Sequence, residues 1–148
     1  MADAIRYRAL TQNEIDALEA KGCSADNWAA VSVADPFDAR RFRNASFVGT
    51  VKIGAVDGMI KTGGGIEKPC GVYDAMLINT TVGAQCRIAN IGQHIANYDI
   101  ADNVLIENVG TMETRAGAKF GNGVEVEALN EGGGREVLIF NKLDSQFA

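Results

Sequence analysis

Val82, Ile88, Ile100 and Ile106 fall on a single register of six residues, with Met76 ahead of them. Gly83, Ala89 and Ala101 directly follow three of these aliphatic side chains. An earlier run, Ile60, Ile66, Val72 and Ile78, keeps the spacing in another phase, and Phe47 and Ile53 precede it with Gly54 behind. A period of six matches neither the 3.6 of a helix nor the 2 of a long strand. It suits a solenoid of short strands joined by tight turns. The predicted fold is therefore mainly β: a single-stranded parallel β-helix whose coils occupy residues 47–112, three to four turns of ~18 residues each.

The phase of the beat slips in three places. Ile53 to Ile60 is a step of seven, with Gly58 between them marking a turn that carries an extra residue. The second slip lies near Ile78. At the third, six after Ile88 is His94, an inward position where imidazole would need buried partners. The steps Ile88 to Ile95 and Ile95 to Ile100 instead place Ile95 in the core and turn His94 outward.

The flanks read differently. Thr11 and Glu14 form a T-x-x-E capping box, and Gly22 supplies a left-handed stop, which predicts a helix over 11–22. So short a helix must dock to be stable, and with Trp28 it is expected to cap one end of the solenoid. A short strand is expected near Val31 to Val33. Residues 1–46 are thus assigned to the helix and cap, and 113–148 to C-terminal strands and loop, all within one domain. Thr62 to Gly65 reads as a tight bend, since it lacks the ending of a phosphate-binding loop. Asn79, Asn90, Asn97, Asn103 and Asn108 sit where turns are needed, and asparagine tolerates left-handed backbone. Beyond Ile106 the beat fades. The sequence 120–123 reads as a turn, 124–128 as a strand with Glu125 and Glu127 on its wet face, 132–134 as a loop and 136–140 as a last strand.

The 148 residues carry a net charge of −5. That disfavours nucleic acid, because neutralising phosphates needs a basic face. Arg40, Arg41 and Arg43 form the one dense basic cluster, open to an anionic ligand but read more simply as a solvated surface. No apolar run approaches the ~20 residues of a membrane helix, and the N-terminal stretch lacks the apolar core of a secretory signal, so no membrane and a cytoplasmic location are expected. Cys23, Cys70 and Cys86 have no metal-ligand spacing and read as buried or half-buried thiols.

At Val82-Gly83, Ile88-Ala89 and Ile100-Ala101 the pattern resembles the hexapeptide repeat of the left-handed β-helix transferases, with Cys86, Gly92 and Val104 four after each aliphatic residue. The resemblance implies a left-handed, triangular β-helix, trimeric self-association and acyl transfer at a cleft between subunits. Acyl-CoA would be the co-substrate, with no resident cofactor. In addition, YRALTQNEIDALEAKGC near the start and FGNGVEVEALNEGGGREV near the end are similar to the N-terminal part of a family of long bacterial proteins, a domain of unknown function with hexapeptide-like repeats. That resemblance implies that this chain is a fragment or a shortened relative.

His94 is the one candidate general base, as imidazole titrates near neutral pH. Gln93 to Asn97 resembles the H-I-A-H stretch of sugar acyltransferases, whose second histidine is catalytic. Here Asn97 holds that place and cannot act as a base. Tyr98 and Asp99 are the neighbours expected to orient the imidazole or contact substrate. A lone histidine excludes a three-histidine zinc site. Two readings stay open: a β-helix structural or binding module without complete chemistry, and an acyltransferase-like or sugar-nucleotide-processing enzyme. The latter would move an acyl group from a CoA or carrier-protein thioester to a sugar or amine.

Overall fold

Asparagine recurs at the corners of this chain, and its backbone angles turn the strands. The computed structural model describes residues 5–119, 121, 123–127 and 136–139. Asp74, Asn79, Gln85, Asn90, Asn97, Asn103 and Asn108 all have positive φ, between 45° and 61°. Each is a corner, and three corners pass per turn before the column repeats, as Asn90 and Asn108 do at a separation of 18. Short polar side chains tolerate this left-handed conformation where branched ones do not. All five asparagines expected at turns adopt it.

The strands run in chain order. β1 (Tyr7–Ala9) precedes helix α1 (Gln12–Glu19), followed by β2 (Ser24–Ala25), β3 (Val31–Ala34), β4 (Phe42–Val48) and β5 (Val51–Ile53). β6 (Met59–Lys61) and β7 (Glu67–Pro69) come next, then β8 (Gly71–Ile78), β9 (Thr81–Val82), β10 (Arg87–Ala96), β11 (Asp99–Ile100) and β12 (Leu105–Glu113). Two five-stranded sheets result, ordered β12-β10-β8-β4-β2 and β1-β3-β5-β9-β11. Every pairing within them is parallel except β1 with β3. Consecutive strands in the chain thus alternate between sheets while each pairs with the equivalent strand one turn on, which is a parallel β-solenoid. Parallel pairing begins at β2 and β3, ahead of the six-residue beat.

The core is made of stacked columns. Phe42, Val72, Ile88 and Ile106 form one, Phe47, Leu77, Ile95 and Met112 a second, and Val33, Ile53, Val82 and Ile100 a third. Phe42, Ile88, Leu77 and Ile95 have no measurable exposure. Burying a side chain of this kind contributes roughly 1.5–3 kcal/mol. Three members of the beat are placed elsewhere. Met76 pairs with Ser46 and faces out, and Ile60 and Ile66 belong to β6 and its turn. The earlier phase of the beat is therefore not a core column, Val72 apart.

That phase broke because of an insertion. β6 and β7 pair antiparallel as a hairpin, with Thr62 to Gly65 as its turn, inside the step from β4 to β8. The hairpin leaves and rejoins the coil at one point, where the Cys70 amide donates to Gly58 O at 3.0 Å. Arg41 holds that root by donating to Asp57 O at 2.8 Å and Gly58 O at 3.0 Å.

The helix caps the N-terminal end as expected. Thr11 accepts from the Glu14 amide and Glu14 accepts from the Thr11 amide. Leu18 is buried in the core, and Gly22, at φ +79°, turns the chain into β2. Trp28 packs edge-on against Phe47 at 6.0 Å and donates from Nε1 to Glu19 at 2.9 Å. Cys23, Cys70 and Cys86 are free and buried, and burial raises each thiol pKa. Among the described residues, no helix is long and apolar enough to cross a membrane.

Met1–Thr114 form this unit and Arg115–Ala148 a second. In the second, β13 (Glu125–Glu127) pairs antiparallel with β14 (Glu136–Leu138). Gly121 and Gly123 both take positive φ in the expected turn. The loop expected at 132–134 lies outside the described residues.

Candidate functional site

The only histidine sits on a β-bulge. Between Ala89 and Ile95, β10 carries two residues more than the matching stretch of β8, Tyr73 to Leu77. Against β12 it carries one more, between Ile91 and His94. Against β12 the excess falls at Gly92-Gln93, directly before His94. Bulges bend a strand and re-aim its side chains. Here the bulge returns Ile95 to the core and leaves His94 partly exposed on the outer face, the orientation read from the seven-residue step.

His94 Nε2 lies 3.0 Å from Glu113 Oε2, one turn further along the solenoid. Thr111, the register partner of His94, donates to Gln93 Oε1 at 3.2 Å. A carboxylate at this distance holds one ring nitrogen and so orients the imidazole on the strand. The cluster is therefore His94, Glu113, Gln93 and Thr111. Local sequence around His94 could not find Glu113; the signal was there in the 18-residue coil, which puts the residues after Asn108 beside those after Asn90.

The other residues singled out in the sequence lie around the next corner. Asn97 is that corner, at φ +61°, and its Nδ2 donates to Thr114 O at 3.0 Å. Tyr98 packs partly buried against the core. Asp99 is exposed on β11, in the other sheet, paired with Thr81. His94 and Asp99 thus occupy different faces of the coil.

A second polar cluster gathers under the hairpin. Arg43, Tyr73, Ala89 and Glu107 form an outward column. Glu107 accepts from Lys68 Nζ at 2.8 Å and from Arg87 Nε at 2.7 Å. Those two hydrogen bonds, Lys68 first, hold the Glu107 carboxyl below its usual pKa. The Arg87 guanidinium lies 4.6 Å from the centre of the Tyr73 ring and also donates to Pro69 O at 2.8 Å. Ala89 faces outward yet is only 6% exposed, so this face is covered.

The arginine cluster divides three ways. Arg40 pairs with Asp38 at 3.0 Å, Arg41 secures the hairpin root, and Arg43 pairs with Asp74 at 2.7 Å. Among the described residues, no group of three or more His, Cys, Asp or Glu is placed to hold a metal ion.

Comparison with known proteins gives a lineage without an activity. An uncharacterised protein of Treponema pallidum (strain Nichols) is 34% identical over 145 residues, covering 90% of this chain and 20% of the relative. This chain therefore spans about a fifth of the length of that curated relative. No solved structure matches it. The family model described as Domain of unknown function (DUF4954) matches residues 7–148, and the chain belongs to that family.

Proposed function

We propose that this segment is a structural and binding module, a β-solenoid that scaffolds a larger assembly. One observation carries the reading: its charged side chains tie separate parts of the fold together. Arg8 joins Glu14 of the capping helix to Asp35 beyond β3, Arg43 of β4 holds Asp74 of β8, and Glu107 of β12 takes Arg87 of β10 and Lys68 of the hairpin. Groups that bridge successive coils stabilise stacking. The test is direct. The purified chain, mixed with acetyl-CoA and a panel of sugar and amine acceptors, should release no thiol above background. Release that disappears in His94→Ala would overturn the scaffold reading.

A second reading has one observation in its favour, the His94–Glu113 contact on the bulge. In it His94 accepts a proton from an acceptor hydroxyl or amine as that group attacks an acyl thioester, the C–S bond breaks, and the proton passes from His94 to the departing thiolate, with Glu113 orienting the ring. The co-substrate would be acyl-CoA or a carrier-protein thioester, with the site completed by self-association as a trimer. The resemblance to the hexapeptide transferases supports this reading. Fold alone is a weak guide to chemistry, and Asn97 replaces the residue that would act as base, so scaffolding is preferred.

A further inference from the structure

The two ends of the solenoid are not alike. At the N-terminal end, Leu18 of α1 enters the core and Trp28 covers Phe47, so the first coil is closed. At the other end β12 is the last strand of its sheet and β11 the last of the other, and no described strand pairs with their outer edges. The core columns register the difference. Ile88, Ile91 and Ile95 of β10 are 0%, 6% and 0% exposed. Their β12 equivalents Ile106, Val109 and Met112 remain only partly buried, as do Val104 and Tyr98. The corner column stops in the same place. Asn108 accepts from Asn90 Nδ2 at 2.6 Å, while among the described residues nothing accepts from its own amide nitrogen.

From these observations we infer that the β12–β11 end is a docking face for one more parallel coil of the same kind, supplied by the longer polypeptide of this family. The partner's chemistry follows from the edge. It is an extended segment that pairs its backbone with β12, points aliphatic side chains onto Ile106, Val109 and Met112, and brings an acceptor such as an asparagine or aspartate oxygen to the Asn108 amide. An open sheet edge is a template for this pairing. Several times more chain is available in the relative, of which only 20% aligns here. A second copy of this chain does not offer such a coil at its N-terminal end, because α1 closes it. The inference rests on the scaffold reading and extends it.

Hydrogen exchange on two intact proteins tests it. In this chain the amides of Leu105–Glu113 should exchange markedly faster than those of Arg87–Ala96. In the full-length Treponema relative the aligned segments should be protected alike, a slowing on the order of tenfold or more for the β12 segment. Slow exchange in both proteins would mean that β12 is already covered within this chain, and fast exchange in both that nothing covers it. Either result overturns the inference. So does a dimer of this chain that Val109→Lys disperses, which would make a second copy the occupant. None of these outcomes depends on thiol release, so this inference and the absence of chemistry fail separately.

Discussion

Lys68, in the inserted hairpin, reaches Glu107 on β12 at 2.8 Å across 39 residues of sequence. The hairpin forms a two-stranded sheet of its own, so this lysine ties it to the last strand of the larger sheet. Arg87 shares the carboxylate and is more enclosed, its side chain 14% exposed against 37% for Lys68.

That asymmetry sets the cost of breaking the cluster. Glu107→Gln leaves Arg87 enclosed without an anionic partner and should lower stability by about 1–3 kcal/mol. Lys68→Met removes only an exposed partner and should cost under about 1 kcal/mol. Urea denaturation of both variants compares them. A larger loss for Lys68→Met would show that the hairpin, rather than Arg87, is the anchor.

The core columns predict a steep contrast between neighbours. Ile88→Asp places a carboxylate where exposure is 0% and should cost more than about 4 kcal/mol or prevent folding. Asn90→Asp, two residues on, keeps a residue that tolerates positive φ and loses one hydrogen bond to Asn108, about 1 kcal/mol. Thermal melts that agree to within a degree or two would refute the assigned phase.

Close stacking at one corner gives a third test. A Cβ added at Gly83 would lie 2.5 Å from Ala101 C and 2.6 Å from Asp102 N, backbone atoms of the next turn. Gly83→Ala should therefore cost about 1–3 kcal/mol through forced separation of the coils. Gly63, in the hairpin turn, has nothing within 4 Å of that position, and Gly63→Ala should be nearly neutral. Similar midpoints in denaturant for both variants would show that the coils give way freely.

Acid should loosen the cap. The Arg8 guanidinium, first of all, together with the Thr11 amide and hydroxyl, lowers the Glu14 carboxyl from 4.5 to about 2. A carboxyl that titrates lower folded than unfolded contributes fully above its unfolded pKa and loses that contribution as pH falls through the folded one. The window is therefore pH 4.5 down to about 2. In Glu14→Gln, stability should fall less steeply across that range than in the parent chain. Parallel pH profiles would remove Glu14 from the account.

The solenoid was legible because its core repeats. Phe47, Ile53, Val82, Ile88 and Ile100 all lie inward, and the asparagines took the corners that their tolerance of positive φ suggested. The capping box was legible because its two hydrogen bonds are local. The hairpin was not. Its aliphatic residues happened to keep a six-residue spacing, so Ile60 and Ile66 looked like another core phase when they decorate an insertion. His94 was placed outward from spacing alone, since an added residue in a β-strand must displace either the side chain or the register. Glu113 and Glu107 were missed for one physical reason: their partners are neighbours along the stacking axis, which local sequence does not display.

The meeting of Gly58 and Cys70 at the hairpin root has a consequence for how this fold can change. A chain that departs and returns at one point lets material be added or removed there while the pitch above and below stays the same. Longer loops, or a small foreign domain, can be grafted at the Thr62 to Gly65 tip, where the Lys68–Glu107 and Arg87–Pro69 contacts behind it stay in place. The seam thus separates two kinds of variation, one held by stacking and the other free to acquire new surfaces.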